Sequence, residues 1–142
     1  MKKLLSLALV LVLILALVPA AHADLADTLL SVWIKQVNET GGDAGTYSYV
    51  RHGNLIVLKF VGGYADDLYE AAKTDEDFKA IWDGIAEAVA EESKQLQEGL
   101  DPYSVIVIDC IVSAKDESVV LMAASCGEII IDLLNGISIF AE

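Results

Sequence analysis

The sequence predicts an α+β domain, an antiparallel sheet of about five strands in the order α-ββ-α-βββ with one long amphipathic helix packed across a face. Three observations predict it. Thr74 to Gly99 keeps apolar residues at helical spacing. Thr46 to Arg51 and Leu55 to Val61 are rich in aromatic and β-branched residues and flank a turn at His52-Gly53-Asn54, so they read as a hairpin. Beyond Pro102, Tyr103 to Ser113, Ser118 to Ala124 and Glu128 to Leu134 are apolar runs parted by turn signals, which predicts a meander of three antiparallel strands, to which Ile137, Ile139 and Phe140 can add a short final one.

Before these elements stands an address. Lys2 and Lys3, the apolar run Leu4 to Val18, Pro19 and Ala21-His22-Ala23 read as a secretory signal peptide cleaved before Asp24. The run is too short and too basic at one flank for a stable membrane span, and no Cys follows the cleavage site to carry a lipid. The expected organisation is therefore a leader over 1–23 and a single domain over 24–142, secreted to the extracellular or cell-envelope space. A chain of that length buries roughly 65% of its unfolded surface, enough for a core without staples.

The charge restricts the partners. The full sequence carries −13, and without Lys2 and Lys3 the remaining 7 basic residues face 22 acids, a net of −15. Phosphates repel such a chain, so nucleic acid is excluded, and an anionic membrane surface is disfavoured.

Leu25 to Asn38 has a broad helical apolar face (Leu25, Leu29, Leu30, Val32, Trp33, Ile34, Val37) that Asp24 can cap. Asn38-Glu39-Thr40 matches a glycosylation sequon that a bacterial secretory context leaves idle. Gly41 to Gly45 is a flexible connection with no phosphate-loop pattern. His52, the one histidine after the leader, sits at a hairpin tip and has no second histidine with which to build a metal site. Tyr64 to Lys73 reads as a short helix. The acids Asp66-Asp67 and Asp75-Glu76-Asp77 lack calcium-loop spacing and suit helix starts instead. No cofactor or metal is expected.

In the long helix, Phe78, Ile81, Trp82, Ile85, Val89 and Leu96 fall within about 60° of one line, the expected core stripe. Asp83, Glu87 and Glu91 lie opposite as a candidate partner-facing acidic face. Glu92 falls about 40° from the stripe. It reads either as a stripe-edge residue whose carboxylate reaches water or as a desolvated acid with a raised pKa. Thr74, with Asp77 at the capping-box position, is the expected start, and Gly99 with Pro102 the stop.

Val105, Val107 and Ile111 share one strand face and Ile106, Ile108, Cys110 and Val112 the other, which predicts a central strand covered on both sides. The long helix is expected on one side, and the Leu25 helix or a second subunit on the other. A hairpin about Lys115-Asp116 sets Cys110 opposite Leu121 and carries Cys126 about 17 Å further along. That exceeds disulfide reach, so both thiols are expected unpaired, Cys110 in the core and Cys126 in a turn.

Gly53-Asn54-Leu55-Ile56-Val57-Leu58-Lys59-Phe60, the acidic helix, and Gly127-Glu128-Ile129-Ile130-Ile131-Asp132 together resemble small secreted or lipid-anchored α+β domains of unknown function from gut Gram-positive bacteria, over about Tyr47 to Gly136. The Asp-Gly turn of such domains is missing. The resemblance implies a small α+β fold and brings no activity.

Two functional readings follow. The first is a non-enzymatic domain that binds another extracellular or envelope protein, or itself. The second is a small hydrolase that uses carboxylates such as Glu92 and Asp109, or Cys126 as nucleophile. It has to assemble acid, base and oxyanion donors from one His, two separated Cys and scattered acids, so the first is preferred.

Overall fold

A computed structural model describes residues 25–41 and 45–139. The leader, the Asp24 cap, most of the glycine connection and Phe140 lie outside the described residues. The elements are α1 (Leu25–Thr40), β1 (Thr46–His52), β2 (Leu55–Val61), α2 (Gly63–Ala72), α3 (Glu76–Leu100), a 3-10 turn (Asp101–Tyr103), β3 (Ile106–Val112), β4 (Val120–Ser125), β5 (Glu128–Asp132) and β6 (Ile137–Ser138). The class is α+β, and one sheet in the order β1-β2-β3-β4-β5-β6 holds all the strands. No described helix is long and apolar enough to cross a membrane.

Two expectations about the sheet need correction. Among the described residues it has six strands rather than about five, the sixth being the short final one at Ile137, and it is mixed, because β2 pairs parallel to β3 while every other neighbour pair is antiparallel. The reason lies in α3. Its 25 residues span roughly 37 Å, longer than any strand, so it carries the chain back to the end of the sheet where β2 began. The next strand then has to run in the direction of β2. The amide of Ile106 donates to the Asn54 carbonyl at 2.8 Å, which locks the start of β3 beside that of β2.

Side-chain hydrogen bonds fix α3 along its length. Its N-cap is Asp75, not Thr74, and Asp75 accepts from the amides of Asp77 (2.8 Å) and Phe78 (3.4 Å). Trp82 Nε1 donates to Asp132 Oδ1 of β5 at 2.9 Å. Near the other end Gln97 accepts from the Val107 amide (2.9 Å) and donates to the Val105 carbonyl (2.8 Å). The helix passes Gly99, ends at Leu100 and tightens into the 3-10 turn, which Ser104 closes at φ 57. The stripe is also rotated from the expected one, since Phe78 and Ile81 are 42% and 52% exposed. The buried line runs through Trp82, Ser93, Leu96 and Leu100, with Ile85, Ala86 and Val89 packed beside it. Ile81 lies about 100° from Trp82 and so points away.

The three described helices sit on the same face of the sheet. Leu30 and Trp33 of α1 pack in one cluster with Ile56, Leu58 and Val107 of the strands and with Leu96 and Leu100 of α3. Trp82, Leu68 and Ala72 join Ile111, Leu121 and Met122 in a second. Of the two covers expected for the opposite face, the Leu25 helix or a second subunit, the first is therefore ruled out. The broad apolar surface of α1 is used at once by the sheet below it and by α3 beside it. Asp27 and Asn38 fasten α1 to the edge strand: Arg51 pairs with Asp27 at 2.5 Å, and Asn38 exchanges two hydrogen bonds with the Tyr47 backbone.

The turns follow their residues. Gly53 (φ 61) opens the two-residue β1–β2 loop. Cys126 (φ 53) and Gly127 (φ 88) form the β4–β5 loop, the positive pair a type I′ turn requires. The β3–β4 turn centres on Asp116 and a bulge between Ile111 and Val112 adds one more residue, so Cys110 lies opposite Ala123 rather than Leu121.

Candidate functional site

The opposite face of the sheet carries a cluster made of strand residues alone. Cys110, Val112 and Ala123 are buried at its centre, ringed by half-buried Val57, Val61, Ile108, Val120, Ile130 and Ile131. No described helix contributes to it. The strand registers place one Lys (Lys59) and one acidic residue (Glu128) on this face. The helix layer holds far more charge, and α3 alone carries Glu76, Asp77, Asp83, Glu87, Glu91, Glu92 and Glu98.

Beneath the helices two carboxyls meet. Asp109 occupies the middle of β3 on the same face as Val107 and Ile111 and is 2% exposed. Glu92 comes down from α3 and is 8% exposed. The two lie within hydrogen-bonding reach of one another. Tyr47 completes the group from β1, its hydroxyl donating to Glu92 Oε1 at 3.0 Å and Oε2 at 3.3 Å. Edge-on contacts with Trp33 (5.3 Å) and Phe60 (5.0 Å) hold the Tyr47 ring.

Burial governs the protonation of all three groups. Desolvation raises the Glu92 carboxyl above its usual range and lifts Asp109 further, the Glu92 charge adding to the effect. The Tyr47 phenol is pushed up by burial and then by the two carboxyls, so it stays a donor. Two acids in one low-dielectric site do not both ionise at low cost, so the pair keeps a proton. Asp109 Oδ2 has no donor among the described residues. The group forms the polar end of a cavity of about 170 Å³ walled by Phe60, Ile85, Ala88, Val89 and Ile111.

The reading of Glu92 as a stripe-edge residue whose carboxylate reaches water is thus incorrect. Its side chain points inward because β1 and β3 supply it with partners. Sequence reasoning missed Tyr47, and it named Glu92 and Asp109 together as candidate carboxylates without placing them in contact. The available signal was parity, since position 109 shares a face with Val107 and Ile111 and an acid there needs a partner from the helix above.

The remaining candidates are dispersed. Asp83 is bound to Lys79 (2.9 Å) and to the Asn135 amide (3.1 Å), and its carboxyl is held below the usual range by those contacts, the Lys79 hydrogen bond first. Glu91 accepts from Gln95 at 2.9 Å, while Glu87 is exposed. Asp66 accepts from Ser113 Oγ and the Ala114 amide, fastening α2 over the end of β3. Among the described residues no group of three or more His, Cys, Asp or Glu could hold a metal ion. His52 ends β1 exposed.

Both thiols are free, Cys110 buried and Cys126 exposed. Burial first, then the Asp109 charge, pushes the Cys110 thiol up to about 12. In the native protein a maleimide is expected to label Cys126 alone, with Cys110 labelled only after unfolding. Intact-mass measurement of a doubly labelled native chain would refute this assignment.

Fold and site together define a two-layer α+β domain with a buried carboxyl pair between its layers. The chain matches no family model, no curated protein and no solved structure.

Proposed function

We propose that the chain is an exported, non-enzymatic binding domain that docks through the sheet face to which no described helix contributes, and that its occupant is a second copy of itself. The observation carrying this reading is the strand-only apolar cluster. Six of its nine apolar side chains are only half-buried, and removing the surface those six still expose is worth about 25 cal/mol per Å² taken from water. Charge selects the occupant. The net of −15 left once Lys2 and Lys3 are removed (22 acids against 7 basic residues) opposes self-association wherever the acid-rich helices approach each other. Packing sheet against sheet keeps them outside, roughly 30 Å apart at about 10 Å per layer, against a Debye length of about 8 Å at physiological salt. A basic partner would be drawn to the helix layer instead.

The hydrolase reading draws support from the Glu92–Asp109 pair. Acyl or glycosyl transfer also needs donors aimed at a developing oxyanion or room for an attacking water. The cavity lining offers Tyr47 and otherwise hydrocarbon. Cys126 stands at a hairpin tip, with the Ser125 hydroxyl 3.9 Å from its sulfur.

Sedimentation equilibrium across a dilution series tests the proposal. A dimer is expected, with Ile108→Lys weakening association by about tenfold or more and Glu87→Lys on the helix layer leaving it unchanged. A wild-type monomer at all concentrations, or dissociation by Glu87→Lys alone, would overturn it.

A further inference from the structure

The cavity between α3 and the sheet has one property that folding alone leaves unexplained. Its walls are aliphatic and aromatic, yet a carboxyl oxygen, Asp109 Oδ2, sits in it with no donor from the described residues. The opposite end of the same network is satisfied, because the Tyr47 hydroxyl donates a hydrogen bond to Glu92. An acceptor left open in an apolar chamber is a recognition element for a group that brings its own hydrogen.

We propose that this cavity binds a small organic ammonium ion with a compact apolar body, the nitrogen seated against Asp109 and Glu92 and the hydrocarbon against Phe60, Ile85, Val89 and Ile111. Three arguments select the class. The carboxyl pair is acidic in sum, and an ammonium supplies both donors and the compensating charge, which an alcohol or amide does not. The rings of Tyr47 and Phe60 line the same space and favour a cation beside them. A bare divalent metal wants six or more oxygens, and the walls are hydrocarbon. Volume sets the size. A cavity near 150 Å³ holds benzene, so about 170 Å³ suits a six-membered ring bearing one amino group. The site lies on the helix side of the sheet and does not depend on the docking face.

Calorimetric titration of the purified protein with cyclohexylamine hydrochloride near neutral pH tests this, with cyclohexanol and cyclohexanecarboxylate as probes of the same shape. The ammonium is expected to bind about tenfold or more tightly than the alcohol, and the carboxylate not at all. The double substitution Asp109→Asn with Glu92→Gln, which keeps the shape and removes every charge the pair can carry, is expected to weaken ammonium binding by a similar factor. Ala88→Leu fills the cavity while leaving both carboxyls in place, and is expected to abolish binding with the circular dichroism spectrum unchanged. Methyl shifts of Ile85 and Ile111 on titration would locate the ligand independently of either variant. Equal affinity for alcohol and ammonium, or full affinity in the double variant, would overturn ammonium recognition. Failure of all three probes to bind the wild type, or unaltered binding in Ala88→Leu, would overturn the site.

Discussion

Asp109→Asn is expected to stabilise the protein at alkaline pH and to change it little near pH 4, an unusual outcome for a substitution at the centre of a sheet. The cause is the direction of the carboxyl's shift. Burial, then the neighbouring Glu92 charge, raises the Asp109 carboxyl well above its ordinary 3.8. Between that ordinary value and the raised one, the folded chain holds a proton that the unfolded chain has released. The folded state therefore binds more protons, and stability falls as pH rises, by about 1.4 kcal/mol per pH unit for each such group. The contribution is fully present below the unfolded value and is lost as pH climbs through the folded one. Glu92 is shifted in the same direction by burial, so the two slopes add wherever their ranges overlap.

Asn at position 109 removes one of the two titrations. Its amide can donate to Glu92, replacing the shared proton with a fixed one. Urea unfolding across the range from about pH 4 to pH 8 should give a variant whose advantage over the parent grows by about 1–3 kcal/mol. Parallel profiles for the two proteins would mean that Asp109 ionises normally in the fold. Glu92→Gln should flatten the profile as well, with the added loss of the charge-assisted bond from Tyr47.

The same pair marks how far the sequence could be read. The first hairpin, the final meander and the long helix were legible because each depends on local signals: alternation, a two-residue turn and helical spacing. The fate of the two cysteines was legible too, since strand rise alone keeps Cys126 away from Cys110. The parallel joint between β2 and β3 was not. It depends on the length of α3 relative to the sheet, a global property that no window of residues displays. The placement of α1 failed for a related reason. A broad apolar face states that cover is needed on two sides and does not say that a sheet and a neighbouring helix will supply it. Phe78 and Ile81 were drawn into the stripe by counting from the helix's first turn, whereas Trp82 sets the true line through its bond to Asp132. Glu92 was conspicuous in the pattern, but its neighbours on β1 and β3 were needed to turn an oddity into a site.

Trp82→Ala carries the largest expected loss, about 3–5 kcal/mol. The indole is 1% exposed and packs at 5.5 Å on Tyr69 of α2, so its removal opens a cavity where α2, α3 and the sheet meet. It also takes a donor from Asp132, which keeps the Asn135 amide at 3.2 Å and side chain at 2.7 Å. Trp82→Phe separates the two effects. It keeps most of the ring and loses the N–H, so a cost of about 1–2 kcal/mol would report the hydrogen bond to a buried carboxylate. Asp132→Asn made in the Trp82→Phe background should then cost less than in the parent, since the partner it would have lost is already gone. Independent, additive losses in that cycle would mean that packing against Tyr69 alone holds this end of α3. Trp82 and Gln97 pin the helix on either side of Ile85, Val89 and Glu92, so loosening Trp82 should also raise amide exchange along that stretch. If exchange rises only in the first turn, the segment over the carboxyl pair is held from the Gln97 end.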